Sequence, residues 1–229
     1  IGGDAAGLSA ASRAKRHQPD LEVIVLEKTR DVSYSACGMP YAIGDPERKM
    51  DDLIVRPAEV FRKKQGIDLL TGHTATSIDP TGKLVTGTTV TGDPFEYHYD
   101  HLLIATGASA ILPDLPGFKL PGVMKLKSLE EGRRIKNLND EKSIKKAVII
   151  GMGYIALEMC EAVRGLGVEV DMLKPRPTLL PWMHEDLSAV VMNELNKNHV
   201  RINTGQQVER IEKQDDRLLV ITGKENYYA

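Results

Sequence analysis

Twice in this chain a glycine-rich turn opens a helix-like stretch that is followed by an apolar run. The first turn is Ile1-Gly2-Gly3-Asp4-Ala5-Ala6-Gly7, leading into residues 8–17 and then Leu21-Glu22-Val23-Ile24-Val25-Leu26-Glu27. The second is Gly151-Met152-Gly153-Tyr154-Ile155-Ala156, preceded by Ala147-Val148-Ile149-Ile150 and followed by a helix over 156–166 and a strand over 168–173. A near-continuous apolar strand is buried on both faces, which is the habit of parallel sheets. Strands alternating with helices build a parallel sheet covered by helices. The doubled pattern therefore predicts an α/β chain of two three-layer domains. A strand expected before Ile1 is absent, so the first residues of the natural chain are expected to be missing.

Between the turns, Pro57 suits the first turn of a helix that ends before Gly66, and residues 67–99 read as short strands broken by Thr-Gly and Asp-Pro turns. Residues 101–107 form another apolar strand closing on Ala105-Thr106-Gly107. Pro113, Pro116, Gly117, Pro121 and Gly122 make a link, which sets domains at 1–112 and 113–229. Beyond the second unit, Leu187, Val190, Val191 and Leu195 fall at helical spacing as a core-facing stripe, and the chain closes in strands.

Composition narrows the function. The 229 residues carry a formal charge of −2, with no basic field for a polyanion. The densest basic group, Arg13, Lys15, Arg16 and His17, suits a local anion such as a nucleotide phosphate. No apolar run approaches the roughly 18 residues of a membrane span. Two cysteines, Cys37 and Cys160, are too few for a disulfide scaffold or a zinc site of their own. A cytoplasmic location is expected, with no nucleic-acid, membrane or metal partner.

Glycine between strand and helix lets the backbone approach a pyrophosphate, whose charge then meets the helix N-terminus. Tight strand–helix turns also need glycine for steric reasons, but two copies in the same context favour two dinucleotides. In the first copy Gly2 and Gly7 hold the outer positions and Asp4 replaces the middle glycine. Glu27, 20 residues after Gly7, matches the carboxylate that bonds two ribose hydroxyls. The second copy is complete until Ala156, and its next strand ends in Lys174, Pro175 and Arg176 rather than an acid. Cations there suit a 2′-phosphate, which leans the reading towards NADPH over NADH.

The run Ser33-Tyr34-Ser35-Ala36-Cys37-Gly38-Met39-Pro40-Tyr41 follows the strand that ends in Glu27. This placement can set a thiol against a flavin held by the first unit. A position at a helix start would favour thiolate, and Pro40 fits the first helical turn. The residue five before Cys37 is Val32, so no second cysteine stands at dithiol spacing. The redox partner of Cys37 must come from the substrate, or Cys37 must cycle through a sulfenic acid. Cys160, among Ile155, Met159 and Val163, reads as a packing residue.

With both turns, Glu27, the cysteine run and the Ala-Thr-Gly strand together, the chain resembles the single-cysteine branch of the flavin-dependent pyridine nucleotide–disulfide oxidoreductases. It is most similar there to coenzyme A disulfide reductases and NAD(P)H-dependent persulfide or polysulfide reductases. The resemblance implies two Rossmann-like domains, one for FAD and one for NAD(P)H, cut before a C-terminal dimerisation domain that makes the full-length protein a homodimer. It implies reduction of a CoA disulfide, CoA persulfide or polysulfide by NADPH or NADH through FAD, with Cys37 catalytic. It places FAD on Gly2, Asp4, Ala5, Ala6, Gly7, Glu27, Lys28, Thr74, Ala75, Ala105, Thr106 and Gly107. It places NAD(P)H on Gly151, Gly153, Tyr154, Ile155, Glu158 and Lys174, with Tyr154 as the aromatic gating the nicotinamide face. Coenzyme A would meet Ser9, Arg13, Arg16, Ser33 and Ala36. The alternatives are an NADH oxidase or peroxidase with a sulfenic Cys37, and a non-catalytic flavoprotein that senses nucleotide.

Overall fold

The computed structural model describes residues 1–142 and 144–229. In chain order the elements are α1 (Ala5–His17), β1 (Ile24–Glu27), α2 (Met39–Gly44), α3 (Ala58–Gln65), β2 (Asp68–Thr71), β3 (His73–Asp79), β4 (Leu84–Thr89) and β5 (Pro94–His98). They continue with α4 (Leu129–Lys142), β6 (Lys146–Ile150), α5 (Tyr154–Gly165), β7 (Glu169–Lys174), α6 (Glu185–Lys197), β8 (Arg201–Thr204), β9 (Val208–Gln214), β10 (Arg217–Thr222) and β11 (Asn226–Tyr228). They form two compact units, Ile1–Ala36 with Asp51–Ser109, and Cys37–Met50 with Ala110–Ala229. Segment Cys37–Met50, which the sequence grouped with residues 1–112, thus packs with the second unit.

In the first unit β1 and β2 run parallel, from Ile24↔Asp68 to Glu27↔Thr71. Pairing with so short a partner trims the expected strand over 21–27 to four residues. Leu8 and Ala11, one helical turn apart on α1, bury their face against Val25, Leu69, Phe61, Val32 and Ile67. Pro57 stands at the N-cap of α3 and Gly66 at its C-cap, as the sequence predicts. Strands β3, β4 and β5 form an antiparallel meander.

The strand expected over residues 101–107 does not form. The Ile1 amino group donates to the Leu103 carbonyl at 2.7 Å and the Ala105 N–H donates to the Ile1 carbonyl at 2.8 Å. Beyond Ile1 the pairing ends because Gly2, at φ +110°, leaves the extended conformation. Leu103 and Ile104 stay exposed.

In the second unit β6, β7 and β8 form a parallel sheet, and β9, β10 and β11 an antiparallel one. Met152, Cys160, Val170, Met172, Leu179, Leu180 and Val200 make the core between the parallel sheet and its helices. The predicted stripe on α6 divides. Val191, Met192 and Leu195 pack on this core, whereas Leu187 and Val190 are exposed. At about 100° per residue, the packed face centres on 191, 192 and 195, which turns 187 to its flank and 190 nearly to the opposite side.

Helix α2 is fastened from two sides. A β-carbon on Gly44 would stand 2.9 Å from the Ala162 Cα of α5, so only glycine permits this approach. From α4, the Lys136 ammonium donates to the carbonyls of Ala42 (2.8 Å), Asp45 (2.5 Å) and Arg48 (2.7 Å). Its three N–H bonds are all spent on carbonyls at and beyond the helix end, where a cation also complements the dipole.

Asp171 on β7 is 2% exposed and is bonded by Arg201 through Nε at 2.5 Å and Nη2 at 3.0 Å, with Lys146 Nζ at 3.1 Å. Burial opposes its ionisation, but the hydrogen bonds from Arg201 and Lys146 outweigh burial and hold the carboxyl below its ordinary range. A carboxyl depressed on folding stabilises the fold above its unfolded pKa of about 4, and that contribution is lost as pH falls towards the folded value. Asp171→Asn is expected to cost roughly 2 kcal/mol at neutral pH. The deficit should shrink below about pH 4, as read by urea unfolding of the full-length protein across pH; a constant deficit would contradict this role.

Candidate functional site

The first glycine turn is built by close backbone approach. The Gly2 N–H donates to the Leu26 carbonyl at 2.8 Å, and a β-carbon on Gly2 would overlap the Ala105 carbonyl oxygen. A β-carbon on Gly7 would overlap the Gly2 carbonyl, so α1 begins directly on the turn. Ala5 and Ala6 are exposed in the first turn of α1, and Asp4 stands at its N-cap without a side-chain bond to the helix N–H groups. Small exposed residues in the first turn of a helix leave room for an anion at its N-terminus.

Glu27, at the end of β1, is half-buried and held at both oxygens. Oε2 accepts from the Gly3 N–H at 2.7 Å, and Oε1 accepts from the Thr29 N–H and hydroxyl, both at 2.8 Å. A β-carbon on Gly3 would come 2.7 Å from the Glu27 Cβ, so the Gly-Gly doublet is what admits the carboxylate. The sequence reading missed Gly3 and Thr29, although the doublet was there to be seen. Lys28 beside it is exposed.

Ala105 lies against Gly2, and Thr106 and Gly107 continue exposed beyond it. Thr74 and Ala75 stand on β3 opposite Thr88 and Gly87 of β4. On α1, Ser9, Arg13 and Arg16 are all exposed, and their spacing of four and then three residues puts them on one face. Neither arginine has an ion-pair or hydrogen-bond partner among the described residues. Ser33 takes φ +50°, rare for a residue with a side chain, and its carbonyl accepts from the Val55 N–H at 2.9 Å. The Ser35 N–H donates to the Leu53 carbonyl at 2.8 Å, which ties this run to residues 53–55.

Ala36 and Cys37 are exposed in a single 3₁₀ turn, Ala36–Gly38, that leads into the six-residue helix α2 with Pro40 in its first turn. Cys37 is a free thiol. Cys160 is 1% exposed in the second unit's core, and burial pushes its thiol up to about 11. A protonated, buried thiol is inert. No cluster of His, Cys, Asp or Glu able to hold a metal occurs among the described residues, and none of their helices is long and apolar enough to cross a membrane.

The second turn repeats the backbone of the first in a more open setting. Gly151 takes φ +117°, close to the +110° of Gly2, and its N–H donates to the Leu173 carbonyl at 2.8 Å. β-carbons on Gly151 and Gly153 would meet nothing within 4 Å, so space stands open in front of the turn. Tyr154 and Ile155 begin α5 and are exposed; Glu158 follows one turn on, half-buried. Lys174, the expected 2′-phosphate cation at the end of β7, is 9% exposed, and its ammonium donates to the Thr178 carbonyl. Burial first, and Arg176 second, lower its pKa. Arg176 is the exposed cation of this loop.

The sequence profile of the pyridine nucleotide-disulphide oxidoreductases matches residues 1–229. A CoA-dependent NAD(P)H sulfur oxidoreductase of Pyrococcus abyssi (strain GE5 / Orsay) is 35% identical over 229 residues, covering 100% of this chain and 50% of that protein. An NADH oxidase of Methanocaldococcus jannaschii is 32% identical over 212 residues, covering 92% of this chain and 47% of that protein. The solved structure of an NAD-dependent persulfide reductase from A. fulgidus superposes with a TM-score of 0.94 at 37% identity, covering 100% of this chain and 43% of that one. The chain spans about half the length of the curated relatives it matches. Matched along its whole length by that profile, and built on two strand–glycine turn–helix units, the chain belongs to the pyridine nucleotide-disulphide oxidoreductase family.

Proposed function

We propose that this chain is the nucleotide-binding part of an FAD-dependent oxidoreductase that uses NADPH or NADH to reduce a CoA disulfide, CoA persulfide or polysulfide through Cys37. The observation that carries the reading is an exposed thiol whose one fellow cysteine in these 229 residues is buried. Cys37 is free and exposed, and Cys160 is sealed in a core. With no second cysteine of these 229 residues placed to pair with it, Cys37 is read as taking the second sulfur of a disulfide cycle from the substrate.

FAD would be held at the first turn, with Gly2, Ala5, Ala6 and Gly7 at its pyrophosphate and Glu27 at its ribose, and NAD(P)H at the second turn. FAD, when bound, supplies the relay that takes a hydride from NAD(P)H and returns two electrons to sulfur. The Cys37 thiolate attacks one sulfur of the CoA disulfide, forming a mixed disulfide and releasing one CoA thiolate. Two electrons cleave the mixed disulfide, regenerate the Cys37 thiolate and release the second CoA thiolate. In sum, NAD(P)H, a proton and CoA disulfide give NAD(P)⁺ and two CoA thiols. A persulfide enters the same cycle by its outer sulfur.

Arg13 and Arg16 support the CoA branch. Two unpaired guanidiniums on one exposed helix face suit a phosphorylated handle, which peroxide and oxygen do not have. The NADH oxidase among the relatives keeps the rival reading of a sulfenic Cys37 specific. With Lys174 turned to Thr178, the lean towards NADPH rests on Arg176.

Cys37→Ser in the full-length protein is expected to lower CoA disulfide or polysulfide turnover by a factor on the order of 10³ or more, while NAD(P)H still bleaches the flavin absorbance. Turnover surviving that change would overturn the thiol mechanism. Arg13→Ala with Arg16→Ala is expected to raise KM for CoA disulfide about tenfold or more, since charge-assisted hydrogen bonds are lost. Diaphorase activity towards a quinone should be unchanged in steady-state assays. An unchanged KM for CoA disulfide would remove α1 from the substrate site.

A further inference from the structure

Tyr154 and Trp182 are 61% and 59% exposed, yet they are fixed to each other. The Trp182 indole N–H donates to the Tyr154 hydroxyl at 2.8 Å, and the rings lie 5.4 Å apart at a tilt of 58°. Exposed aromatic side chains ordinarily sample several rotamers, and this pair is held by a hydrogen bond and an edge-inclined ring contact at once.

Both ends of the pair have firm footing. Tyr154 is the first residue of α5, directly after Gly153 and its open space. Trp182 comes from the loop after β7. That loop is fastened by the Lys174 ammonium on the Thr178 carbonyl, by Leu179 and Leu180 at 5% and 1% exposure, and by the Met183 N–H on the Leu180 carbonyl at 2.9 Å. Leu180 takes φ +46°, a strained conformation for a side-chain-bearing residue that persists where its surroundings dictate it. The Ser188 hydroxyl adds a bond to the Leu179 carbonyl at 3.2 Å. Lys174 therefore has structural work in this loop, and Trp182 links the loop to the rim of the glycine turn.

We propose that Trp182 is a positioning residue for the nicotinamide dinucleotide, holding Tyr154 at the edge of the second glycine turn before the ligand arrives. This rests on the reading of that turn as the NAD(P)H site. A ring already ordered spares the ligand the entropy of ordering it. Loss of the indole N–H frees Tyr154, and binding weakens although no atom of Trp182 need touch the ligand.

The test is calorimetric titration of the flavin-loaded full-length protein with NAD⁺ and NADP⁺, with intrinsic fluorescence in parallel. Trp182→Phe and Tyr154→Phe each remove the same hydrogen bond from opposite ends. Each is expected to raise Kd about three- to tenfold, and the double variant no further than either single. The wild-type emission minus that of Trp182→Phe isolates Trp182, and it should change saturably with the calorimetric Kd. Unchanged Kd in both single variants, additive effects in the double, or a difference emission blind to ligand would overturn this role while leaving the turn as the binding site. Absence of dinucleotide binding to the wild-type protein would overturn the reading of the turn, and this inference with it.

Discussion

Gly2 stands at φ +110° with the place of its missing side chain filled by the Ala105 carbonyl oxygen, and the first unit is arranged around that contact. Any side chain at Gly2 would push residues 103–105 away from Ile1 and break the bonds that join them. The same turn brings the Gly3 N–H onto Glu27, which sets the carboxylate at the end of β1. It also seats Gly7 on the Gly2 carbonyl, so α1 starts where the turn ends. The distance between a helix N-terminus and a strand-end carboxylate is what a dinucleotide measures, and here backbone contacts set it. Gly151 repeats the conformation in the second unit, with the space before it left open.

Cys37 depends on a different set of contacts. Its turn runs into α2, which is locked in the second unit by the Gly44 approach to Ala162 and by Lys136 on three carbonyls. Within the first unit, Ser33 and Ser35 are pinned to residues 53–55. Cys37 itself stays exposed on the short turn that leads into α2. Cys160, four residues past Ala156 in α5, shows the opposite fate, since apolar neighbours and a raised pKa leave it with packing alone.

Local signals carried much of this into the sequence. Glycine spacing, apolar runs and the Pro57–Gly66 bracket located both turns, α1, α3, β6, α5 and β7, because those features act over a few residues. What the sequence did not show is decided at long range. That α2 packs with the second unit rests on Ala162 against Gly44 and on Lys136, 91 positions from Asp45. The Tyr154–Trp182 pair spans 28 positions. The Lys174 ammonium gives one of its three N–H bonds to the Thr178 carbonyl, a choice of rotamer that no pattern reveals. The stripe on α6 had the right period and the wrong centre, and a period alone does not say which flank meets the core.

In the proposed cycle the sulfur partner of Cys37 comes with the substrate. This is tested most directly by purifying the full-length protein in its oxidised state, unfolding it, adding reductant and weighing the small thiol released. Coenzyme A is expected, released in step with the appearance of a free Cys37. A Cys37 sulfenic acid with no thiol released would contradict the cycle.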